Sequence, residues 1–162
     1  QIAVFNALLT KIRTMSQFGD ANSWISDDPE FEIPQPSRHE VYLIVYPTDG
    51  TPDQAAFDGG AESTLIEHTA ATTIIHSRFR TQQKGKHGTV LTDSTKGLWT
   101  LKRELLKTLA GQPLLDPEDA NLSLITDDGL RPLHCERPTI GGEPIGDLAI
   151  TWGLDFLWDV TS

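Results

Sequence analysis

Apolar residues recur every three to four positions in two segments of the chain, and this spacing predicts two amphipathic helices. The first helix lies near the start of the sequence and is predicted to end near Gly19. The second follows Ser94, a favourable N-cap residue, and ends before Gly111 and Pro113. Their apolar stripes are Phe5, Leu8, Leu9, Ile12 and Met15 in the first helix, and Leu98, Leu101, Leu105 and Leu109, widened by Trp99 and Leu106, in the second.

Two segments between these helices predict strands. Residues 41–46 form a compact run of β-branched and aromatic side chains, which favours a strand buried on both faces. Strand propensity returns over residues 63–81, with a break near Ala70 as an open alternative. Residues 82–88 are polar and contain glycine, which is typical of an exposed loop or hairpin tip.

The clearest period-two pattern lies over residues 148–159, where one face is apolar and the other is mostly small or acidic. So many aligned apolar side chains predict a strand that is either central in its sheet or used at a subunit contact. Upstream, residues 122–125 predict a short strand, and the proline-interrupted residues 130–136 predict an edge strand. The apolar face consists of Leu148, Ile150, Trp152, Leu154, Phe156 and Trp158.

The remaining connections are predicted to be irregular. Residues 20–36 carry three prolines, and residues 51–60 have the composition of a loop. The order of elements predicts an α+β fold, a mixed, mainly antiparallel sheet with the two main helices packed on one face. A length of 162 residues is that of a single domain over residues 1–162.

Charge is distributed in three blocks along a chain whose net charge is -10. Residues 27–67 hold ten acids and one base, residues 78–107 hold eight bases and two acids, and residues 116–159 hold ten acids and two bases. Such blocks can meet copies of the chain, or a neighbour, through opposite potentials, although solvated faces of one molecule explain them equally well. The acidic total argues against free-standing nucleic-acid binding, which depends on clustered bases.

Targeting and redox signals are absent from the sequence. No apolar run approaches the roughly 20 residues that span a bilayer. The first residues also lack the basic segment followed by an apolar segment that is typical of a secretory leader, so no membrane partner is expected. The single cysteine, Cys135, excludes an internal disulfide framework. Synthesis in the cytosol is the expectation.

Catalytic motifs are likewise missing, so no catalytic residue, cofactor or metal is predicted. The chain has no Gly-x-Ser-x-Gly element, and Gly85-Lys86 lacks the other residues of a phosphate-binding loop. Cys135 directly follows His134, but neighbours on a strand point to opposite faces and do not form a nucleophile–base pair.

The histidines do not have metal-ligand spacing. His68 and His76 share a face of an unbroken strand, but eight extended residues set them roughly 26 Å apart, too far for one metal. His87 lies in the predicted loop tip. Surface histidines are the preferred interpretation of all three.

Six charged residues are candidates for an interface. Alternation along the strand places Arg78 and Arg80 on the polar face with His76, and Lys84 and Lys86 lie in the basic loop tip. Asp155 and Asp159 lie on the non-aromatic face of the last strand, as lumen or interface charges, with a purely structural role as the alternative.

The order of these patterns resembles the tail terminator proteins of tailed bacteriophages. The resemblance covers most of the chain and depends on the N-terminal helix, the strand VYLIVYP at residues 41–47, the long polar-faced strand before a Leu-rich helix, and the closing strand ITWGLDF at residues 150–156. It is a match of pattern and order, without a diagnostic motif.

This resemblance implies a non-enzymatic subunit of the virion tail and neck, made in the host cytoplasm. Such subunits form a ring, usually of six copies, that caps the tail tube protein and offers a surface to the head-side connector protein. An acidic lumen would let genomic DNA pass without specific binding. The charge blocks fit the head-to-tail contact that such a ring requires.

The sequence is also compatible with other functions. Within the same class, the chain would be another neck protein, such as a head completion or connector subunit. From a different class, it would be a small soluble binding module or an undetected enzyme with carboxylate chemistry. A monomer with a concave pocket of convergent polar groups would favour the second class.

Overall fold

The computed structural model describes residues 2–28, 41–48, 50–53, 64–77, 93–140, 143–144 and 146–159. Within these residues the chain forms two α-helices and eight strands. In chain order they are α1 (Ile2–Ile12), β1 (Ser23–Ile25), β2 (Val41–Pro47), β3 (Thr51–Asp53), β4 (Thr64–Ser77), α2 (Leu98–Leu109), β5 (Arg131–Glu136), β6 (Thr139–Ile140), β7 (Glu143–Pro144) and β8 (Asp147–Asp159).

The main sheet has the strand order β1-β2-β4-β8-β5, and β3 pairs with β4 beside this path. β1 runs parallel to β2, whereas the other pairings of this sheet are antiparallel. β6 and β7 form a separate two-stranded hairpin. The predicted α+β class, with a mixed and mainly antiparallel sheet, is confirmed.

The centre of the sheet is the long pairing of β4 with β8. Their register runs through thirteen residue pairs, from Thr64 opposite Asp159 to His76 opposite Asp147. β4 therefore continues unbroken through Ala70, and the break considered from the sequence is absent. β8 lies between β4 and β5, which confirms the prediction of a central strand and of an edge position for β5.

The hydrophobic core lies between the two helices and one face of this sheet. Alternate side chains of β8 enter it together with the apolar stripes of α1 and α2. The predicted end of the first helix near Gly19 is wrong, because α1 ends at Ile12 and Met15 enters the core from the turns that follow.

Trp152 has no exposed surface, and its indole Nε1 donates a 3.0 Å hydrogen bond to Thr73 Oγ1. Thr73 Oγ1 in turn donates to the carbonyl oxygen of Ile150 at 3.1 Å. The polar atoms in this part of the core are thus satisfied by each other.

The second helix begins later than the sequence predicted. Its N-cap is Gly97, with no side-chain cap, and Ser94 lies in the preceding turn. That turn is organised by Asp93, whose carboxylate accepts hydrogen bonds from the backbone N–H groups of Lys96 at 2.8 Å and Thr95 at 2.9 Å. These bonds, the one from Lys96 first, lower the pKa of Asp93. The prediction of Ser94 as the N-cap is wrong because Asp93 holds the residues around Ser94 in a separate turn, and the helix begins only after Gly97.

Three short segments also differ from the sequence prediction. β1 lies within the proline-containing residues 20–36, and β3 lies within the predicted loop 51–60. Residues 122–125 form isolated bridges, from Ser123 to Leu115 and from Ile125 to Phe156, instead of a strand. Each difference involves three residues or fewer in regular pairing, which is too short for a periodic signal in the sequence.

Candidate interaction surface

The far face of the sheet, defined here as the face opposite the two helices, carries a regular series of polar cross-strand pairs. His68 lies opposite Asp155, Thr72 opposite Thr151, and His76 opposite Asp147, so a polar pair recurs every four residues along β4 and β8. Directly opposed side chains in an antiparallel pair are close enough to bond. The two threonine hydroxyls lie 3.0 Å apart.

Asp155 is the centre of an ionic network at one end of this series. Its Oδ1 lies 2.8 Å from His68 Nδ1, and its Oδ2 accepts a 3.0 Å hydrogen bond from Arg131 Nη2. Arg131 projects from the edge strand β5, opposite Gly153, so it reaches Asp155 diagonally across the ladder. Nη1 of Arg131 lies 3.5 Å from Asp128 Oδ2. Side chains from β4 and β5 thus converge on one carboxylate of β8.

Burial and hydrogen bonding shift the pKa of Asp155 in opposite directions. Its side chain is only 12% exposed, and this burial by itself would raise the pKa. The hydrogen bonds from His68 and Arg131 and the charge of Arg131 act in the opposite direction, and the net pKa lies below the ordinary value. Asp155 is therefore ionised at neutral pH, with its charge compensated inside the chain.

His76 and Asp147 form the pair at the other end of the series. His76 Nδ1 lies 2.9 Å from Asp147 Oδ1, and both side chains are more than four-fifths buried. The second ring nitrogen of His76, Nε2, is buried and has no hydrogen-bond partner among the described residues. The interpretation of His76 as a surface histidine is therefore wrong, whereas His68 is half exposed as expected. His87 lies outside the described residues.

An apolar patch adjoins the polar series on the far face. Tyr42 and Ile44 of β2 are almost fully buried, as is Ala149 of β8. Trp24 of β1 stacks on Tyr42 with ring centroids 6.1 Å apart and an angle of 18° between the planes. The burial of β2 on both faces confirms the sequence prediction for this strand. The far face consequently combines polar cross-strand pairs with a partly buried aromatic stack.

The predicted interface residues fall into two groups. Arg78, Arg80, Lys84 and Lys86 lie outside the described residues. Asp155 lies on the far face, as its position in the alternation predicted, and Asp159 pairs through its backbone with Thr64, while its side chain is outside the described part of the chain. A contact of any of these six residues with a partner stays a prediction.

A second surface was not predicted from the sequence. Trp99 was assigned to the apolar stripe of α2, but it is 59% exposed. Arg103 and Lys107 follow it at four-residue intervals and are also largely exposed, so the three side chains share the outer face of the helix. The signal was present in the sequence, because Trp99 is in phase with these two bases rather than with the four buried leucines.

One cavity beside β2 and β4 has few groups that could do chemistry. A cavity of about 420 Å³ is lined by Ser26, Asp27, Tyr46, Pro47, Thr72 and Ile74. Asp27 is the only carboxylate in this lining. In the described part of the chain no three His, Cys, Asp or Glu side chains are grouped so that they would hold a metal ion. None of the described helices has the length and apolar content needed to cross a membrane.

The chain has the α+β architecture of two helices layered on a mixed, mainly antiparallel sheet. No family model and no curated protein matches the sequence. Among solved structures, a chain from the "Virion of native gene transfer agent (GTA) particle" is similar, with a TM-score of 0.54 and 12% sequence identity. The match covers 98% of this chain and 100% of that chain. At this identity the likeness shows a shared fold.

Proposed function

We propose that this chain is a structural subunit of a phage-like virion, and specifically the tail terminator that joins the tail to the head side. The observation that carries the proposal is the fold shared with a chain of a gene transfer agent virion over nearly the full length of both chains. This likeness supports the virion assignment alone, and the position at the tail rests on the resemblance of the sequence pattern to tail terminators. Neither depends on a catalytic group, and the proposed role is not enzymatic.

In this role the chain forms a homo-oligomeric ring, of six copies, in the neck of the virion. One side of the ring caps the tail tube protein and stops its growth, and the other side contacts the head-side connector protein. The uneven distribution of acids and bases suits the head-to-tail contacts of a ring, in which two different surfaces of each copy must attract each other.

The proposed ring also has to let genomic DNA slide through without sticking. A net charge of -10 repels the phosphate backbone, because non-specific binding to DNA depends on clustered bases. We expect the purified protein to show no measurable affinity for duplex DNA at physiological salt. Tight and salt-dependent binding would contradict a passive lumen.

The direct test of the role is electron microscopy of the purified chain, alone and after mixing with the tail tube protein of the same particle. We expect rings with a central opening in the first sample and tubes with a ring at one end in the second. A protein that remains a single subunit at every concentration and leaves tube ends bare would contradict the proposal.

The six charged candidates from the sequence are assigned to contacts of this ring. Reversal of charge at Arg78, Arg80, Lys84 or Lys86 is expected to weaken assembly or docking more than folding, as measured by native mass and by thermal unfolding. Unchanged assembly with a lowered melting temperature would reject the assignment. Asp155 is the weakest of the candidates, because His68 and Arg131 already use both of its oxygens.

A second neck role rests on the same observation, since the similar chain belongs to a whole virion particle and the likeness does not single out one position within it. In that alternative the chain would be a head completion or connector subunit. Binding assays with isolated tube protein and isolated portal-side protein separate the two roles. Binding to the tube protein alone favours the terminator, and binding only on the head side favours the alternative.

A further inference from the structure

Two exposed surfaces of the chain have opposite charge and matching apolar groups. We propose that the outer stripe of α2 (Trp99, Arg103 and Lys107, here the helix stripe) docks on residues 115–122 (here the acidic loop) of a second copy. This inference rests on the proposed ring and adds to it the surfaces through which neighbouring copies meet.

The helix stripe combines an aromatic anchor with positive charge. Trp99 is 59% exposed, and the side chains of Arg103 and Lys107 are about two-thirds exposed. Both bases approach the single carboxylate of Glu104, from Arg103 Nε at 3.1 Å and from Lys107 Nζ at 3.2 Å. One carboxylate shared by two cations leaves an excess of positive charge beside the indole. Trp and Arg are the residues most enriched at the energetic centres of protein interfaces.

The acidic loop has the complementary composition. It contains Asp116, Glu118 and Asp119 and no base, and its two ends expose Leu115 and Leu122. None of the three carboxylates forms an ion pair with another described residue. Exposed leucines beside uncompensated carboxylates are a surface that a tryptophan flanked by cations can cover.

Local hydrogen bonds hold the acidic loop in shape before any partner binds. Asp116 N–H donates to the carbonyl oxygen of Leu122 at 2.9 Å, which closes the base of the loop. Asp116 Oδ1 accepts from Glu118 N–H at 2.8 Å, and Asp119 Oδ1 accepts from Asn121 N–H at 2.9 Å. A preorganised loop loses less conformational entropy when it binds than a flexible one.

The identity of the occupant follows from the location of both surfaces on the same chain. Within one copy, the side chains of the helix stripe and the leucines of the acidic loop are exposed, so other molecules can reach them. Because the two surfaces differ, their contact is heterologous and places each copy in the same relation to the next. Repeated contacts of this kind form a ring when the rotation from copy to copy closes, and a closed ring is the assembly proposed above.

The test uses two charge-reversed variants of the full chain. The helix variant carries Arg103→Glu and Lys107→Glu, and the loop variant carries Glu118→Lys and Asp119→Lys. Alone, each variant presents two like-charged surfaces to its own copies. When the two variants are mixed in equal amounts, the negative helix of the helix variant faces the positive loop of the loop variant. The unchanged acidic loop of the helix variant likewise faces the unchanged basic helix of the loop variant.

We expect each variant alone to assemble at least about tenfold more weakly than the wild-type chain, and the mixture to recover assembly with both variants in equal numbers. Native mass spectrometry measures the stoichiometry, and circular dichroism confirms that each variant is folded. The matched control carries Asp127→Lys and Glu136→Lys, exposed carboxylates outside the loop that change the net charge as the loop variant does. It is expected to assemble as the wild type does.

The possible failures are distinguishable. If the wild-type chain forms rings and the folded variants form them equally well, or if the mixture fails to recover assembly, the docking assignment is overturned and the ring stands. If the wild-type chain stays a single subunit at every concentration, both the ring and the docking assignment are overturned.

Discussion

The two faces of the central sheet differ in the kind of side chain that they bury. On the helix-covered face, alternate residues of β8 are apolar and fully buried, and the indole of Trp152 needs only one hydrogen-bond partner, Thr73. On the far face, the same two strands carry histidine–carboxylate and threonine pairs that bond each other across the ladder. The residues involved alternate along one continuous pair of strands.

Because of this difference, we expect the helix-covered face to contribute mainly to stability and the far face mainly to recognition. Burial of large apolar groups is the dominant stabilising contribution to folding, so the helix-covered face is expected to determine the free energy of unfolding. Partly exposed ion pairs contribute much less, but they define where charge lies on the surface. Changes on the two faces should therefore differ in size and in the property that they affect.

The largest effect is expected from Trp152→Ala on the helix-covered face. The substitution leaves a cavity in a region with no exposed surface, and truncation of a buried tryptophan costs about 3–5 kcal/mol. Chemical denaturation should show this loss in the free energy of unfolding. A variant as stable as the wild type would show that Trp152 is not part of the core.

Thr73→Val should have the next largest effect. Valine keeps the shape of threonine but removes the hydroxyl that accepts from Trp152 and donates to Ile150, so two buried polar groups lose a partner. The expected cost is about 1–3 kcal/mol. Thr72→Val on the far face is the control, because its hydroxyl bonds a partly exposed threonine. An equal cost at both positions would contradict the contrast between the faces.

Asp155→Asn tests the ionic network of the far face. The remaining partners, His68 and Arg131, are exposed enough to be hydrated, so we expect a loss of about 1 kcal/mol at neutral pH. Because the folded-state pKa of Asp155 is lowered, its contribution is fully present above the unfolded pKa of about 3.9 and is lost as the pH falls through the lower folded value.

The corresponding measurement is the difference in unfolding free energy between the wild type and Asp155→Asn from pH 7 to pH 2. Because a protonated imidazole at His68 attracts the carboxylate more strongly, the diagnostic range lies below about pH 5, where the difference should shrink as the carboxylate is protonated. A difference that grows below about pH 5 would have the wrong sign for a carboxylate stabilised in its charged form.

The smallest effect on stability is expected from Trp99→Ala on the outer face of α2. Surface substitutions usually change the free energy of unfolding by less than about 0.5 kcal/mol. The same variant should weaken assembly if the helix stripe contacts a second copy. A large loss of stability would place Trp99 with Trp152 as a core residue and remove it from the interface.

The sequence predicted the parts of the fold that have a long period. The alternation in β8 and the leucine spacing in α2 extend over more than ten residues each, so the pattern identifies both the element and its buried face. β1 and β3 have three residues each and depend on a longer neighbour for their pairing, which no local pattern records.

The contacts of the candidate surface were less accessible from sequence. Asp155 was assigned to the correct face, but its partner His68 lies 87 residues away, and their pairing depends on the register of β4 against β8. Register is decided by the whole length of two strands and not by either residue. The exposed position of Trp99 was readable in principle, because helical phase groups it with Arg103 and Lys107.

The proposed ring is tested most directly by the native mass of the purified wild-type chain across a wide range of concentration. We expect a discrete closed assembly, six times the 17.9 kDa subunit, that persists on dilution. A mass of one subunit throughout this range would contradict a structural ring subunit.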